Sequence, residues 1–239
     1  ENFEVVQGLL SRLGIRVNCR FIRRTTTEEI TRFRRARLNL LAADDAFGRV
    51  VRDFLTDHFS VEFASSPLPL GFEATAGWLL EIARHFDRTQ SAEAVIEQHR
   101  AAYGAMVARL RPALEGKRVF IAAQNHRIDW VLDTALDLGM EILKVGILES
   151  IWDDAFLSRY EGRVPIVYPY PREQRDEDMR ALNPDLALVN YPWRTMPETV
   201  RCDHISVCPD VGFFTGIEVA ARWARLLKLP AREGWRRDA

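Results

Sequence analysis

Apolar residues recur along this chain with two different periods, and the period changes where turn residues stand. Phe3, Val6, Leu9, Leu10 and Leu13 share one face at helical spacing, which predicts a helix over 3–13 that Gly14 terminates. Ile15, Val17, Cys19 and Phe21 then alternate with Arg16, Asn18, Arg20 and Ile22, the period of a strand near a sheet edge. Thr26 and Glu29 have the spacing of a capping box and predict a short helix. LNLLAA (38–43) is apolar on both faces, as a buried parallel strand is, and Asp44 or Asp45 caps the next helix. Phe47, Val50, Val51, Phe54, Leu55 and His58 predict that helix over 46–59. VEFASS (61–66) reads as strand, PLPLG (67–71) as loop and GFEATAGWLLEIARHF (71–86) as another helix.

From 91 to 114 a helical pattern runs without a strand and reads as a connector. After Gly116 the strands VFIAAQ (119–124), MEILKVGILES (140–150), VPIVYP (164–169), LALVNYP (186–192) and HISVCP (204–209) are interleaved with further elements. Helices are expected over 127–138, 153–160, 172–182 and 214–227. Such alternation predicts an α/β fold of two doubly wound, mainly parallel-sheet Rossmann-like domains, over 1–90 and 116–239, with 91–115 between them. The first opens on a helix where a βα unit opens on a strand, so its first strand is expected to be missing. Phe54, Trp78, Phe86, Trp130 and Trp223 fall on apolar helical faces and are assigned to the core.

Of 239 residues, 47% are hydrophobic and 28% charged, enough for a buried core. With 33 basic and 34 acidic residues the net charge is −1, so no global field draws the chain to nucleic acid or an anionic membrane. Nine arginines against four acids in the first 37 residues make a local patch, but the aromatic interleaving that stacks bases is missing, and nucleic acid is not expected as a partner. No apolar run approaches the roughly 20 residues of a membrane span. Three cysteines cannot close a disulfide framework, and no apolar leader opens the chain, so a cytoplasmic setting is expected. Neither GxGxxG nor GxxxxGK[ST] occurs at a βα junction, which sets aside NAD enzymes and NTPases.

Candidate chemistry gathers where strands end, because open α/β sheets place ligands at the carboxyl ends of their strands. Asp44 and Asp45 follow an apolar strand and are candidates to donate or relay protons, with helix capping as the simpler role. Gly212, Thr215 and Gly216 stand at the start of the last helix, where small residues and free N–H groups admit an anion or a flat cofactor. His126, in QNHR at the end of the strand 119–124, is a further cofactor-binding candidate. Cys202, His204 and Cys208 share a strand face if 202–208 is extended. The spacing matches no standard zinc pattern, so no metal site is assigned and Cys208 is placed against a ligand pocket.

Five stretches in one order carry a resemblance: TTTEEITRFRRARLNLLAA (25–43), PLPLGFEATAGWLLEIARHF (67–86), LRPALEGKRVFIAAQNHRIDWVLDTALDLGMEILKVG (110–146), NPDLALVNY (183–191) and VGFFTGIEVAARWARLL (211–227). Together they resemble the nitrogenase component 1 family, which includes nitrogenase-like oxidoreductases and cofactor-assembly scaffolds. The resemblance implies three Rossmann-like domains around a metallocluster, with this chain matching the second and third. It implies an iron–sulfur cluster held by cysteines of the first domain and therefore none within these residues. A sister component 1 subunit and an ATP-hydrolysing iron protein that delivers electrons are the implied partners. By itself such a piece is expected to be inactive and to self-associate, as a homodimer, through uncovered apolar surface. A scaffold for cluster assembly and a non-enzymatic two-lobed small-molecule-binding module are the alternatives. In the molybdenum enzyme's catalytic subunit a cysteine cofactor ligand follows the strand matching 38–41, where this chain reads Ala42, Ala43, Asp44, Asp45; the histidine ligand falls near Ser206. Those departures imply a β-type subunit or a nitrogenase-like reductase, and PLGFEATAGWL resembles the β-type pattern.

Overall fold

The structure, a computed structural model, describes residues 2–20, 26–124, 127–149, 156–190 and 200–228. The chain divides into two units, Glu1–Ala101 with Asp210–Phe213, and Ala102–Pro209 with Phe214–Ala239.

The first unit is built mainly of helices: α1 (Asn2–Arg12), α2 (Thr27–Thr31), a 3-10 turn at Phe33–Arg35, α3 (Ala46–Phe59), α4 (Phe72–His85) and the opening of α5 (Thr89–Leu114). The unit boundary thus falls inside α5. Gly14 follows α1 at φ 71°, the left-handed conformation that ends helices and suits glycine. Thr26 and Glu29 form both halves of the capping box at α2.

The strands expected in this unit do not form ladders. Among the described residues its β pairing is limited to two isolated parallel bridges, Asn39–Phe63 and Leu70–Gly212. Over 15–20 the alternation survives, with Ile15, Val17 and Cys19 turned inward and Arg16, Asn18 and Arg20 exposed. Leu38, Leu40 and Leu41 are only half-buried, against the expectation of a fully buried strand. Such a strand needs hydrogen-bonded neighbours and apolar cover on both faces, and 38–43 has a single bridge. Helix α3 departs from expectation in the same way. Phe47, Val50 and Phe54 are 68%, 66% and 53% exposed, so Phe54 stacks on His58 with centroids 4.3 Å apart instead of entering the core. Phe86 is half-buried beneath the Arg37 guanidinium, 4.9 Å from its ring centre. Trp78, by contrast, is buried as expected.

The second unit carries one all-parallel sheet of β1 (Arg118–Ala123), β2 (Glu141–Ile147), β3 (Ile166–Val167), β4 (Leu186–Val189) and β5 (Arg201–His204), in the order β3-β2-β1-β4-β5. Its helices are the end of α5, α6 (Asp129–Asp137), α7 (Gln174–Leu182) and α8 (Thr215–Lys228). Phe120, Ala122, Ala187 and Val189 pack with Met179 of α7 on one sheet face. Alternation leaves Val119 and Ile121 for the opposite face, where α6 and α8 pack on one another. Gly216 makes that contact possible: a Cβ there would sit 1.8 Å from Thr134 Oγ1.

Two expectations for this unit are corrected. The helix over 153–160 is absent from Phe156 onward, where the chain is coil and turn; 151–155 lie outside the described residues. Asp129 of α6 accepts from Ser158 Oγ and from the Arg159 N–H, and Asp133 accepts from the Tyr160 hydroxyl, so α6 carboxylates tie this segment down and one takes a backbone N–H that a helix would use. The last strand lies at Arg201–His204 and not along HISVCP, because its register pairs Leu186 with Arg201 and Val189 with His204. Asp203 then locks it, receiving Arg222 Nε at 2.7 and 2.8 Å.

Candidate functional site

The strand order places a topological switch point in the second unit. From β1 the chain moves to β2 and β3 on one side and returns to β4 and β5 on the other, so the connections leaving β1 and β4 part in opposite directions, the arrangement that puts ligand crevices at the carboxyl ends of open α/β sheets. Gln124 follows β1 and Asn190 follows β4. The Gln124 N–H donates to Asn190 Oδ1 at 2.8 Å, which decides which end of the Asn190 amide is nitrogen. That nitrogen is buried and has no hydrogen-bond partner, in a residue only 5% exposed. An unmet buried donor costs roughly 1–3 kcal/mol. Walls around this edge are apolar: Ala123, Leu148, Val189 and Ile205 are all buried. Sequence reasoning missed Asn190, although a polar residue ending the run LALV was the available signal.

The candidates named from sequence are distributed over both units. Asp45 is the N-cap of α3, its Oδ1 accepting from the Gly48 N–H at 2.7 Å. Gly48 cannot be larger, since a Cβ would lie 2.0 Å from the Ala43 carbonyl oxygen. Asp44 pairs with Arg52 at 3.2 Å, and its carbonyl accepts from Arg49. Both carboxylates therefore have structural employment at the start of α3. Gly212 belongs to the first unit, at φ 114°, and is held by Gly212 N–H to Pro69 O (3.0 Å) and Gly71 N–H to Gly212 O (3.1 Å). Thr215 and Gly216 belong to the second unit and are buried at the start of α8, with Gly216 against Thr134. The chain thus changes unit within the GxxxG. His126 lies outside the described residues.

Cys202 and His204 are exposed and share one side of β5, whereas the chain bends before Cys208, which is exposed with its N–H on Ser206 Oγ at 3.2 Å. Cys202 is open to solvent as a residue, yet its sulfur turns to the Asp203 carbonyl, 4.0 Å away. Desolvation there, then the Asp203 carboxylate, pushes the thiol up to about 11. Among the described residues no three His, Cys, Asp or Glu side chains converge as a metal site. Cys19 stands in the first unit and the other two cysteines in the second. Three cysteines are fewer than the four thiolates that hold a [2Fe–2S] or [4Fe–4S] cluster.

A parallel sheet with helices on both faces and a switch point at its centre defines a Rossmann-like, doubly wound protein. The family model of the nitrogenase component 1 type oxidoreductases matches residues 1–228, and the chain belongs to that family. The nitrogenase molybdenum-iron protein alpha chain of Herbaspirillum seropedicae is 31% identical over 142 residues, 58% of this chain and 28% of that protein. The alpha chain of Klebsiella pneumoniae is 30% identical over 140 residues, 58% and 29% of the two. The chain therefore matches less than a third of the length of these relatives. Both of these relatives are alpha chains, while PLGFEATAGWL resembles the β-type pattern and Ala43 and Ser206 stand where the cofactor ligands were sought. Among solved structures, nitrogenase Cp1 at pH 6.5 superposes with TM-score 0.74 at 14% identity, over 96% of this chain and 56% of that one. An ABC transporter substrate-binding protein from Listeria monocytogenes shares the fold more loosely, with TM-score 0.52 at 10% identity over 94% and 95%.

Proposed function

We propose that this chain is part of a nitrogenase-like oxidoreductase of component 1 type, working in the cytoplasm with a sister component 1 polypeptide and an ATP-hydrolysing iron protein. The match of the family over residues 1–228 carries this reading. Metallocluster chemistry in this reading draws ligands from outside these 239 residues, since three cysteines are fewer than the four thiolates of an iron–sulfur cluster. The contribution of this chain is a framework: the sheet edge at Gln124 and Asn190 faces bound material, and Asp44 and Asp45 stand at the start of α3 as candidate proton carriers. Superposition accounts for 56% of a Cp1 chain, and the exposed face of α3 (Phe47, Val50, Phe54) is an apolar surface suited to packing against the remainder of such an assembly.

The test is reconstitution. Mixed with a polypeptide carrying the rest of a component 1 sequence and with an iron protein, the chain should co-elute and support ATP-dependent electron uptake, while the chain alone takes up none. A complete mixture that neither assembles nor consumes reductant sinks the reading. The fold shared with a substrate-binding protein along nearly the whole of both chains favours, as a second reading, a two-lobed small-molecule-binding module. Stoichiometric ligand binding by the chain alone, with no assembly, selects that one.

A further inference from the structure

We propose that the Asp203–Arg222 pair guards the open edge of the second unit's sheet and keeps a second copy of this chain from adding its own β5 there. β5 is an outer strand, and its neighbour in the sheet is β4. The Arg201 and Ile205 N–H groups reach back to the Asp185 and Val189 carbonyls at 3.3 and 2.8 Å. Alternation therefore turns the N–H and C=O of Cys202 and His204 away from β4, toward the side a further strand would take. An open row of such groups is a template for strand addition. Both residues are exposed to solvent.

At His204 the template is filled from within the chain. Asp203 Oδ1 accepts the His204 N–H at 2.8 Å, and Arg222 Nη2 of α8 donates to the His204 carbonyl at 2.8 Å. The same guanidinium gives its Nε to both Asp203 oxygens, at 2.8 and 2.7 Å, which fixes the carboxylate where it meets that N–H. A largely buried ion pair is weak evidence for stability, because apolar residues of like volume often hold a core as well or better. This one, however, occupies both backbone groups that a neighbouring strand needs. A two-fold axis through Asp203 would set two β5 strands antiparallel, Cys202 of each opposite His204 of the other, and every hydrogen bond of that pairing would use a His204 group. The other outer strand, β3, is two residues long, and shortness is a second common way of closing an edge.

The inference concerns association, so it stands or falls apart from the reductase reading. The probe is the 15N-labelled chain itself, dilute and concentrated, followed by amide hydrogen exchange and sedimentation velocity. In the unaltered chain the His204 amide should exchange slowly, at the same rate in both samples. Asp203→Val combined with Arg222→Met removes both guards, leaves no buried charge unpaired and keeps an apolar stem in place of the arginine's. This double variant should fold and exchange the His204 amide fast when dilute. When concentrated it should sediment faster and protect that amide roughly tenfold or more. Self-association through another surface, the α3 face included, leaves the His204 amide unprotected and is told apart on that ground. A folded double variant whose His204 amide gains no protection with concentration, or that sediments as before, overturns the proposal. Fast exchange of that amide in the unaltered chain, or protection that grows with concentration there, does the same without any variant. A double variant that fails to fold assigns the pair to stability and overturns the proposal as well.

Discussion

Leu186, Ala187 and Leu188 in the second unit are wholly buried, while Leu38, Leu40 and Leu41 in the first stay half-exposed, though both runs are apolar on both faces. The difference lies in neighbours. β4 hydrogen-bonds to β1 on one side and β5 on the other, and α7 covers one of its faces. The 38–43 segment has a bridge to Phe63 and no second strand among the described residues. Helices show the same contrast. α8 buries Ile217, Ala220, Trp223 and Ala224, whereas α3 buries Gly48 and Leu55 and leaves three large apolar side chains in water. Apolar pattern is therefore a demand for cover that one unit meets internally and the other meets only in part.

The contrast is broken most severely by emptying the second core. Trp223 is fully buried with its indole N–H unpaired, so Trp223→Ala should cost about 3–5 kcal/mol in denaturant unfolding of this unit. Phe54→Ala in α3 should change stability by less than about 0.5 kcal/mol. Similar losses at the two positions would show that the units are equally packed. If the α3 face also drives self-association, Phe54→Ser should shift sedimentation toward the monomer; an unchanged profile would remove that face from the interface.

Gly216→Ala comes next, since the added methyl meets Thr134 Oγ1; overpacking of this kind costs about 1–3 kcal/mol. Gly8, in α1, has nothing within 4 Å of an added Cβ, and Gly8→Ala should gain about 0.5–1 kcal/mol by helix propensity. Thermal unfolding of the pair checks both signs. Asp45→Ala should cost about 1 kcal/mol by uncapping α3. Loss of activity in the reconstituted assembly far beyond that stability change would give Asp45 chemistry as well as a cap.

The smallest effect is one of pH. Burial first, and the Asp133 carboxylate next, push the Tyr160 hydroxyl up to about 12 from its ordinary 10. The fold thus favours the neutral phenol, so this contribution to stability is complete below pH 10 and is lost as pH climbs through 12. The stability difference between the native chain and Tyr160→Phe should shrink over that window, and a constant difference would discard the coupling.

Helix positions were the most legible part of the sequence. Predicted and observed bounds coincide for α3 and nearly so for α1, α4 and α8, because amphipathic period and caps such as Asp45 and Thr26 act within one turn of the chain. Strand existence in the second unit was equally readable from its continuous apolar runs. The candidate site was less so. Asp44, Asp45, Gly212 and Gly216 were found by local pattern, but only packing shows that Gly216 is small because Thr134 lies against it and that Gly212 holds a bridge to Leu70. Asn190 escaped notice because its one local signal, a polar residue ending LALV, does not show that its amide meets the Gln124 N–H 66 positions away.

The sequence by itself determined where α1, α3, α4 and α8 begin and end to within a residue, that the strands after Gly116 run parallel, and which family the order of its stretches resembles. Each of these comes from contacts between residues a few positions apart or from patterns repeated along the chain. Only the tertiary structure decided that the strands of the second unit ladder while those of the first do not, that the last strand starts at Arg201, and that an amide after β4 reaches the end of β1. Those outcomes depend on partners far along the chain, such as Asn190 for Gln124 (separation 66), and hydrogen-bond pairing across such distances is chosen by register and cover, which local period does not encode.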